Sequence, residues 1–510
     1  MVSDANPTRV SQARSALFLI ALPICVVVAL WGIIDPDALV RVADAITTTL
    51  FRALDWFYLT LILFFLGLSV WLALGPHGHL KLGNPDDTPE FSTLSWLAML
   101  FAAGMGAGLL YWGVAEPLLH FTQAPGDTPG TSAAARQALV ITIFHWGIHG
   151  WAVYCIAALI LAYFGFRRQE PYLPGAPIRS ALRGRWVGGV AWLADLLATL
   201  AVALGVAGAI GMGILQLQSG LHIVAGVSPD APLVSVIILV LVVLSYMISA
   251  GTGLDKGIKI LSNINMALGI LLMLFIAIAG PTGALLRGLV SAVGDYTSSL
   301  FSLSFQLYPY ESPAVSAWFH SWTLTYFIWW ISWAPFVGVF IARISRGRTI
   351  REFVLGVLVV PTAFTILWFS IFGGMGLHEE LLGAGGMGEL VRQDVSTALF
   401  SLFDRLPGSL LLSVIGLVLV FIFVVTSVDS ATFVLGMLTS QGSMNPPVRR
   451  KLAWGVTLGG LGAALMFSGS PAAVKAVSVV AALPFTLVLI LQVVALLRAL
   501  AHDAVAENNA

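Results

Sequence analysis

About twelve stretches of this 510-residue chain are apolar for long enough to cross a bilayer, and no other feature constrains its fold as tightly. They lie near 15–34, 55–75, 93–116, 139–164, 189–216, 232–250, 258–282, 322–342, 352–374, 409–438, 452–468 and 473–497. A helix needs roughly 20 apolar residues to span the hydrocarbon core. Inside lipid the backbone must satisfy its own hydrogen bonds, so each stretch is predicted to be helical. Only 10% of residues are charged, against about 25% in a soluble domain. The longest polar stretches, near 76–92 and 118–138, are loop-sized, so no soluble domain is expected. The fold class that follows is an all-α polytopic membrane protein. Its first apolar run is followed by many others and reads as a span, not a cleavable signal.

Charge narrows the reading. The 25 Lys and Arg balance 25 Asp and Glu, and a net charge of zero argues against nucleic-acid binding. Cys25 and Cys155 both fall inside apolar stretches, so neither a disulfide nor a metal cluster is expected from them. With the N-terminus placed in the cytoplasm, 18 of the 25 basic residues fall on the inner side, and Lys475 is among the few assigned to the outside. That asymmetry predicts both termini in the cytoplasm.

Two spans carry unusual punctuation. The third contains "FAAGMGAGLLYWG", with Gly104, Gly106 and Gly108 inside five residues, and the eighth contains "TYFIWWISWAPFVG", with Trp329, Trp330, Trp333 and Pro335. Each opens a set of five spans. Secondary transporters are commonly built from two inverted repeats whose discontinuous helices meet near the bilayer midplane. The bland alternative for Gly104 and Gly108 is a GxxxG pair that only permits close helix packing. The chain divides on this plan into 1–90 with two leading spans, a first repeat over 91–285, an outer connection with an amphipathic helix over 286–321, a second repeat over 322–500, and a short tail.

A second aromatic group, "FHWGIHGWAVY", lies in the fourth span. On a helical wheel Trp146, Trp151 and Tyr154 spread over roughly 140°, and Trp329, Trp330 and Trp333 over roughly 100°. If the two arcs face one another they form a box of π-faces, which attracts a quaternary ammonium by about 2 kcal/mol when desolvated. Core packing or a lipid-facing position is the alternative. The i, i+4 spacing of His145 and His149 would suit a metal, but no carboxylate or third His lies nearby in sequence, so they are expected to be hydrogen-bonded packing residues. Asp195 and Asp429 are acids inside spans, which are functional candidates by default, or braces of a kinked helix.

With these blocks in place the chain resembles the betaine/choline/carnitine transporters. The resemblance is carried by "SWTLTYFIWWISWAPFVGVFIARISRGRTIREFVLGVLVVP", "FAAGMGAGLLYWGVAEPL", "FHWGIHGWAVY" and "VVTSVDSATFVLGML", and it extends over roughly residues 90 to 480. It departs at Phe327, where the family usually has another Trp. The resemblance implies two inverted five-helix repeats preceded by two N-terminal helices, a bacterial cytoplasmic membrane location and a homotrimer. It implies a substrate box of Trp146, Trp151, Tyr154 and Trp330, with Trp329 and Trp333 lining the path, and a substrate-binding role for Gly104, Gly106 and Gly108.

The same resemblance implies one Na⁺ held by the carbonyls of Ala102, Met105 and Phe423 and the hydroxyls of Thr426 and Ser427. Sodium-independent relatives place an Arg where this chain has Met266, which favours sodium coupling. A second sodium site would use two threonines, and Val202 and Val206 stand at those points, so that site is in doubt. Choline-preferring relatives tend to have Asp where this chain has Gly108, which implies a zwitterion such as glycine betaine or dimethylsulfoniopropionate. The tail "RALAHDAVAENNA" is short and slightly acidic, so gating by a long basic tail is not expected, and nutrient uptake stands beside osmoprotection.

The expected function is therefore import of a small methylated zwitterion by sodium symport. The alternative is proton-coupled or sodium-independent exchange of choline- or carnitine-like compounds. An enzyme is not expected, because no nucleophile–base or metal constellation is present. A channel is not expected either, because repeated filter loops and charged rings are missing.

Overall fold

The computed structural model of the chain describes residues 7–508 apart from 105, 229, 230, 253, 254 and 470. Among the described residues the chain is helical throughout, with a single isolated bridge between Lys81 and Thr349. The helices are α1 (Pro7–Ile34), α2 (Pro36–Leu74), α3 (Thr93–Gly104), α4 (Ala107–Gln123), α5 (Ser132–Trp146), α6 (Ile148–Ala162), α7 (Ala176–Ala181), α8 (Val187–Ala225) and α9 (Pro232–Thr252). They continue with α10 (Asp255–Ala279), α11 (Thr282–Ser304), α12 (Pro313–Phe319), α13 (Thr325–Ile344), α14 (Ile350–Leu382) and α15 (Met387–Gln393). The last are α16 (Ala398–Phe403), α17 (Ser409–Leu438), α18 (Val448–Phe467) and α19 (Pro471–Asn508).

Among the described residues ten helical stretches are long and apolar enough to cross a membrane. They correspond to ten of the twelve expected segments, and the other two differ for physical reasons. The third is divided between α3 and α4, neither of which is long enough to span alone. The eleventh, α18, is 20 residues long, but its first turn carries Arg449, Arg450 and Lys451, which dilute its hydropathy.

Burial sorts the helices into layers. α1, α9 and α10 turn Leu19, Leu233 and Ile278 outward, an apolar surface suited to lipid. The stretch formed by α5 and α6 is almost wholly buried and sits at the centre. Around it α13 packs along α6, α4 packs along α14, and α8 packs against α17, α18 and α19. α13, which follows the irregular turn of the eighth span, thus lies on the fourth, and α4, which follows the interruption of the third, lies on the ninth.

Besides a π-turn over Tyr163–Arg167 that ends the fourth span, three irregularities bear on the site. α3 gives way to α4 through an extended Gly106. α5 gives way to α6 at Gly147, within what the sequence reads as one continuous fourth span. In the eighth span the irregular part is a wide π-turn over His320–Leu324, whereas Pro335 sits inside an unbroken α13.

Candidate functional site

The break at Gly147 falls at a residue where crowding admits only glycine. A Cβ there would stand 2.5 Å from the carbonyl oxygen of Ile143 and 2.7 Å from the Tyr296 hydroxyl. Breaking the helix frees carbonyls that α5 would otherwise use, and buried backbone groups must find partners. The Trp330 indole N–H donates to the His145 carbonyl at 3.0 Å, the Thr365 hydroxyl donates to that of Trp146 at 3.2 Å, and the Ile148 N–H donates to the Tyr296 hydroxyl at 3.2 Å. Gly150 completes the fit, because a Cβ at that point would enter the Trp330 ring at 2.3 Å.

Trp330 is thereby held against three rings of the fourth span. Its centroid lies 6.1 Å from Trp146, 5.6 Å from Trp151 and 4.6 Å from Tyr154, and Trp151 meets Tyr154 edge-on at 5.5 Å. Trp329 lies 6.3 Å from Trp146. All five rings, with Trp333, border one cavity of about 720 Å³. Trp151, Trp329 and Trp333 have buried indole N–H groups with no acceptor among the described residues. A buried indole normally finds a partner; Trp112 and Trp318, outside the cavity lining, share this state, and the three on the wall offer donors to an acceptor-bearing guest.

Gly106, Ala107, Gly108 and Leu109, the turn that starts α4, also line the cavity. A helix N-terminus offers unpaired N–H groups and the positive end of the helix dipole to an anion. Gly108 sits close under Trp146, where a Cβ would be 3.1 Å from the ring. The aromatic box and the start of α4 thus share one wall, Trp146.

Phe423, Thr426 and Ser427 of α17 border the same cavity, as does Met266 of α10. The Thr426 hydroxyl donates back to the Ile422 carbonyl at 2.8 Å, which leaves its oxygen lone pairs available. Ala102 and Gly104 fall on the final turn of α3, and Met105 lies outside the described residues. Val202 and Val206 are fully buried on α8 and bring no oxygen. Asp429 lines the cavity, whereas Asp195 accepts from the Gly175 N–H at 2.7 Å and pairs with Arg179 at 3.1 Å as a brace. Phe327 packs on Phe144 and His149 away from the cavity.

Sequence reasoning missed the group that holds the box in place. Glu116 of α4, fully buried, accepts from the Trp146 indole at 2.8 Å and from the Tyr326 hydroxyl on one oxygen. Its other oxygen meets His145 Nδ1 at 2.7 Å and His120 Nε2 at 3.3 Å. The ligand-type atoms of Glu116, His120 and His145 lie within 4.8 Å of one another. The carboxylate nevertheless already faces four side-chain partners, about its full acceptor capacity. His145 Nε2 is engaged by Thr323 at 2.9 Å and His149 by Ser304 at 2.9 Å, so the two histidines serve separate contacts. Lys475, assigned to the outside from sequence, is instead buried within α19 behind Tyr326.

Comparison with known proteins matches residues 16–505 to the betaine/carnitine/choline family of transporters. The chain is similar to the glycine betaine transporter OpuD of Bacillus subtilis, 42% identical over 96% of this chain and 95% of that one. It is 37% identical to an ectoine/hydroxyectoine transporter of Virgibacillus pantothenticus over 96% of this chain and 97% of that one. An osmo-independent choline transporter, BetT1 of Acinetobacter baylyi, is 39% identical over 88% of this chain and 86% of its own length.

Proposed function

The chain belongs to the betaine/carnitine/choline family of transporters, and on that premise we propose that it imports a small methylated zwitterion, glycine betaine or a compact analogue such as dimethylsulfoniopropionate, together with sodium. The observation that carries this reading is the shared wall. Trp146 contributes to the box around Trp330 and covers Gly108 at the start of α4.

A cation in the box gains about 2 kcal/mol from a well-desolvated ring contact. A carboxylate on the same molecule then reaches the unpaired N–H groups of α4, where the helix dipole favours negative charge. Because both subsites touch one indole, the guest must be short. Gly108 contributes no counter-charge, so the substrate supplies its own anion.

Sodium coupling is supported by the donor set. Hard cations take oxygen ligands, and Phe423, Thr426 and Ser427 all border the same cavity, where one carbonyl and two hydroxyls would supply them. The interruption between α3 and α4 frees further carbonyls, Ala102 and Met105 being the positions expected to supply them. The uncharged Met266 leaves room for a mobile cation. One sodium per substrate follows from Val202 and Val206, with no hydroxyl for a second. The reading also includes a homotrimer in the bacterial cytoplasmic membrane with both termini inside. Proton coupling is the second reading, favoured by the buried carboxylate of Glu116 beside the box.

Proteoliposome uptake of labelled glycine betaine, dimethylsulfoniopropionate, choline, carnitine and ectoine decides between them. The proposal expects uptake of the first two, driven by a sodium gradient at constant pH. Uptake that follows a proton gradient and ignores sodium would establish the second reading.

A further inference from the structure

Lys475 presents an unusual arrangement. Its ammonium lies 4.0 Å from the ring centroid of Trp112, 4.1 Å from Trp322 and 4.5 Å from Tyr326. The side chain is only 6% exposed, and among the described residues no carboxylate stands within ion-pair distance. A buried ammonium without a counter-ion is costly. The three ring faces, with the negative Glu116 beyond Tyr326, are what compensate it here.

The cage joins parts of the fold that are far apart in sequence. Trp112 comes from α4, Trp322 from the π-turn, Tyr326 from α13 and the lysine from α19. Tyr326 also lines the substrate cavity, and Trp112 and Trp322 stand behind it. The cavity runs from Tyr326 along α13 to Arg343 and Lys451, a distance of roughly 25 Å at 1.5 Å per residue. Tyr326, Trp112 and Lys475 are buried whereas Arg343 is exposed, so the caged lysine stands at the closed end.

We propose that Lys475 is the latch of that end: its ammonium, seated in the Trp112–Trp322–Tyr326 cage, ties α19 to α4 and α13 and keeps the cavity shut on this side. Opening the cavity there requires α19 to part from α4 and α13, which withdraws the ammonium from the rings. The closed state is thus stabilised by a tethered cation held with the same chemistry that the box offers a methylated guest.

The test reads access from each face of the membrane. Ala209 lines the cavity, and Cys25 and Cys155 are fully buried, so Ala209→Cys provides a single reporter for a membrane-impermeant maleimide. In right-side-out and inside-out vesicles without substrate or sodium, the reporter alone is labelled mainly from one face. Adding Lys475→Met keeps the length of the side chain and removes its charge. Labelling from the second face should rise about 30-fold, equivalent to about 2 kcal/mol at 1.4 kcal/mol per tenfold. Lys475→Arg, which keeps a cation for the cage, should remain near the reporter alone. Trp322→Leu leaves the lysine and removes a ring, makes the same prediction as Lys475→Met, and decides the matter if that variant does not fold. Labelling confined to the original face in both Lys475→Met and Trp322→Leu overturns the latch. The readout involves neither substrate nor ion, so that outcome would leave the transport reading standing.

Discussion

The indole N–H of Trp330 donates to the carbonyl oxygen of His145 across 3.0 Å, joining the eighth span to the broken fourth. The bond exists because α5 stops at Trp146 and no longer needs that carbonyl. A helix break in the fourth span thus fixes the ring that the eighth span places at the centre of the box.

The break itself can be tested at Gly147. Gly147→Ala places a methyl 2.5 Å from the Ile143 carbonyl and 2.7 Å from the Tyr296 hydroxyl. Relief needs movement of backbone, so we expect a cost of about 1–3 kcal/mol. A lower melting temperature of the purified variant, read by size-exclusion after heating, checks it. Gly188→Ala, where the added Cβ meets nothing within 4 Å, should melt as wild type.

Which features were legible in sequence follows from what each depends on. The spans show because hydropathy is local, and the aromatic arcs show because Trp at membrane depth is rare enough to stand out. Gly147 gives no local sign of a break, since glycine inside a membrane helix usually serves packing and nothing in sequence separates the two uses. The wheel over Trp146, Trp151 and Tyr154 assumed one helix, yet the rings still converge on Trp330. Pro335 drew attention to the eighth span, but the irregular turn lies upstream at His320–Leu324. Glu116 and Lys475 were invisible as partners because their significance rests on contacts with residues far away in sequence, Tyr326 above all. A single acid or base at the edge of an apolar run looks like a boundary until the fold supplies its surroundings.

Glu116 gives the second prediction. Glu116→Gln retains size but replaces an acceptor oxygen by an NH₂ group facing its former donors, and an unsatisfied buried donor costs about 1–3 kcal/mol. Trp146 loses its anchor, so KM for the substrate should rise about tenfold while kcat falls less. Unchanged KM in the folded variant would show that Trp146 is held without the carboxylate.

Sodium coupling predicts the behaviour of Ser427. Ser427→Ala removes one oxygen from a small set, and the sodium concentration for half-maximal uptake should increase at least tenfold, or about 1.4 kcal/mol. Uptake in a sodium titration at fixed pH measures it. Full transport by the wild-type protein in sodium-free buffer would remove the basis for the prediction.

Substrate choice predicts a difference between two substitutions of Gly108. Any side chain there presses on Trp146, whose ring lies 3.1 Å from the added Cβ, so Gly108→Ala should weaken betaine and choline binding alike. Gly108→Asp adds a negative charge where the substrate carboxylate is placed. It should depress betaine uptake further than alanine does and permit some choline uptake. Equal behaviour of the two variants toward both compounds would displace the carboxylate from this position.

The most direct measurement is calorimetric binding of glycine betaine to purified, folded Trp330→Leu. Leucine keeps an apolar side chain of moderate size and removes the π-face, so the account predicts a loss of about 2 kcal/mol, or an affinity roughly 30-fold weaker. Trp330→Phe should recover part of that loss, because its ring retains a smaller quadrupole. Wild-type affinity in Trp330→Leu would contradict the account, since the methylated cation would then have to bind away from this box.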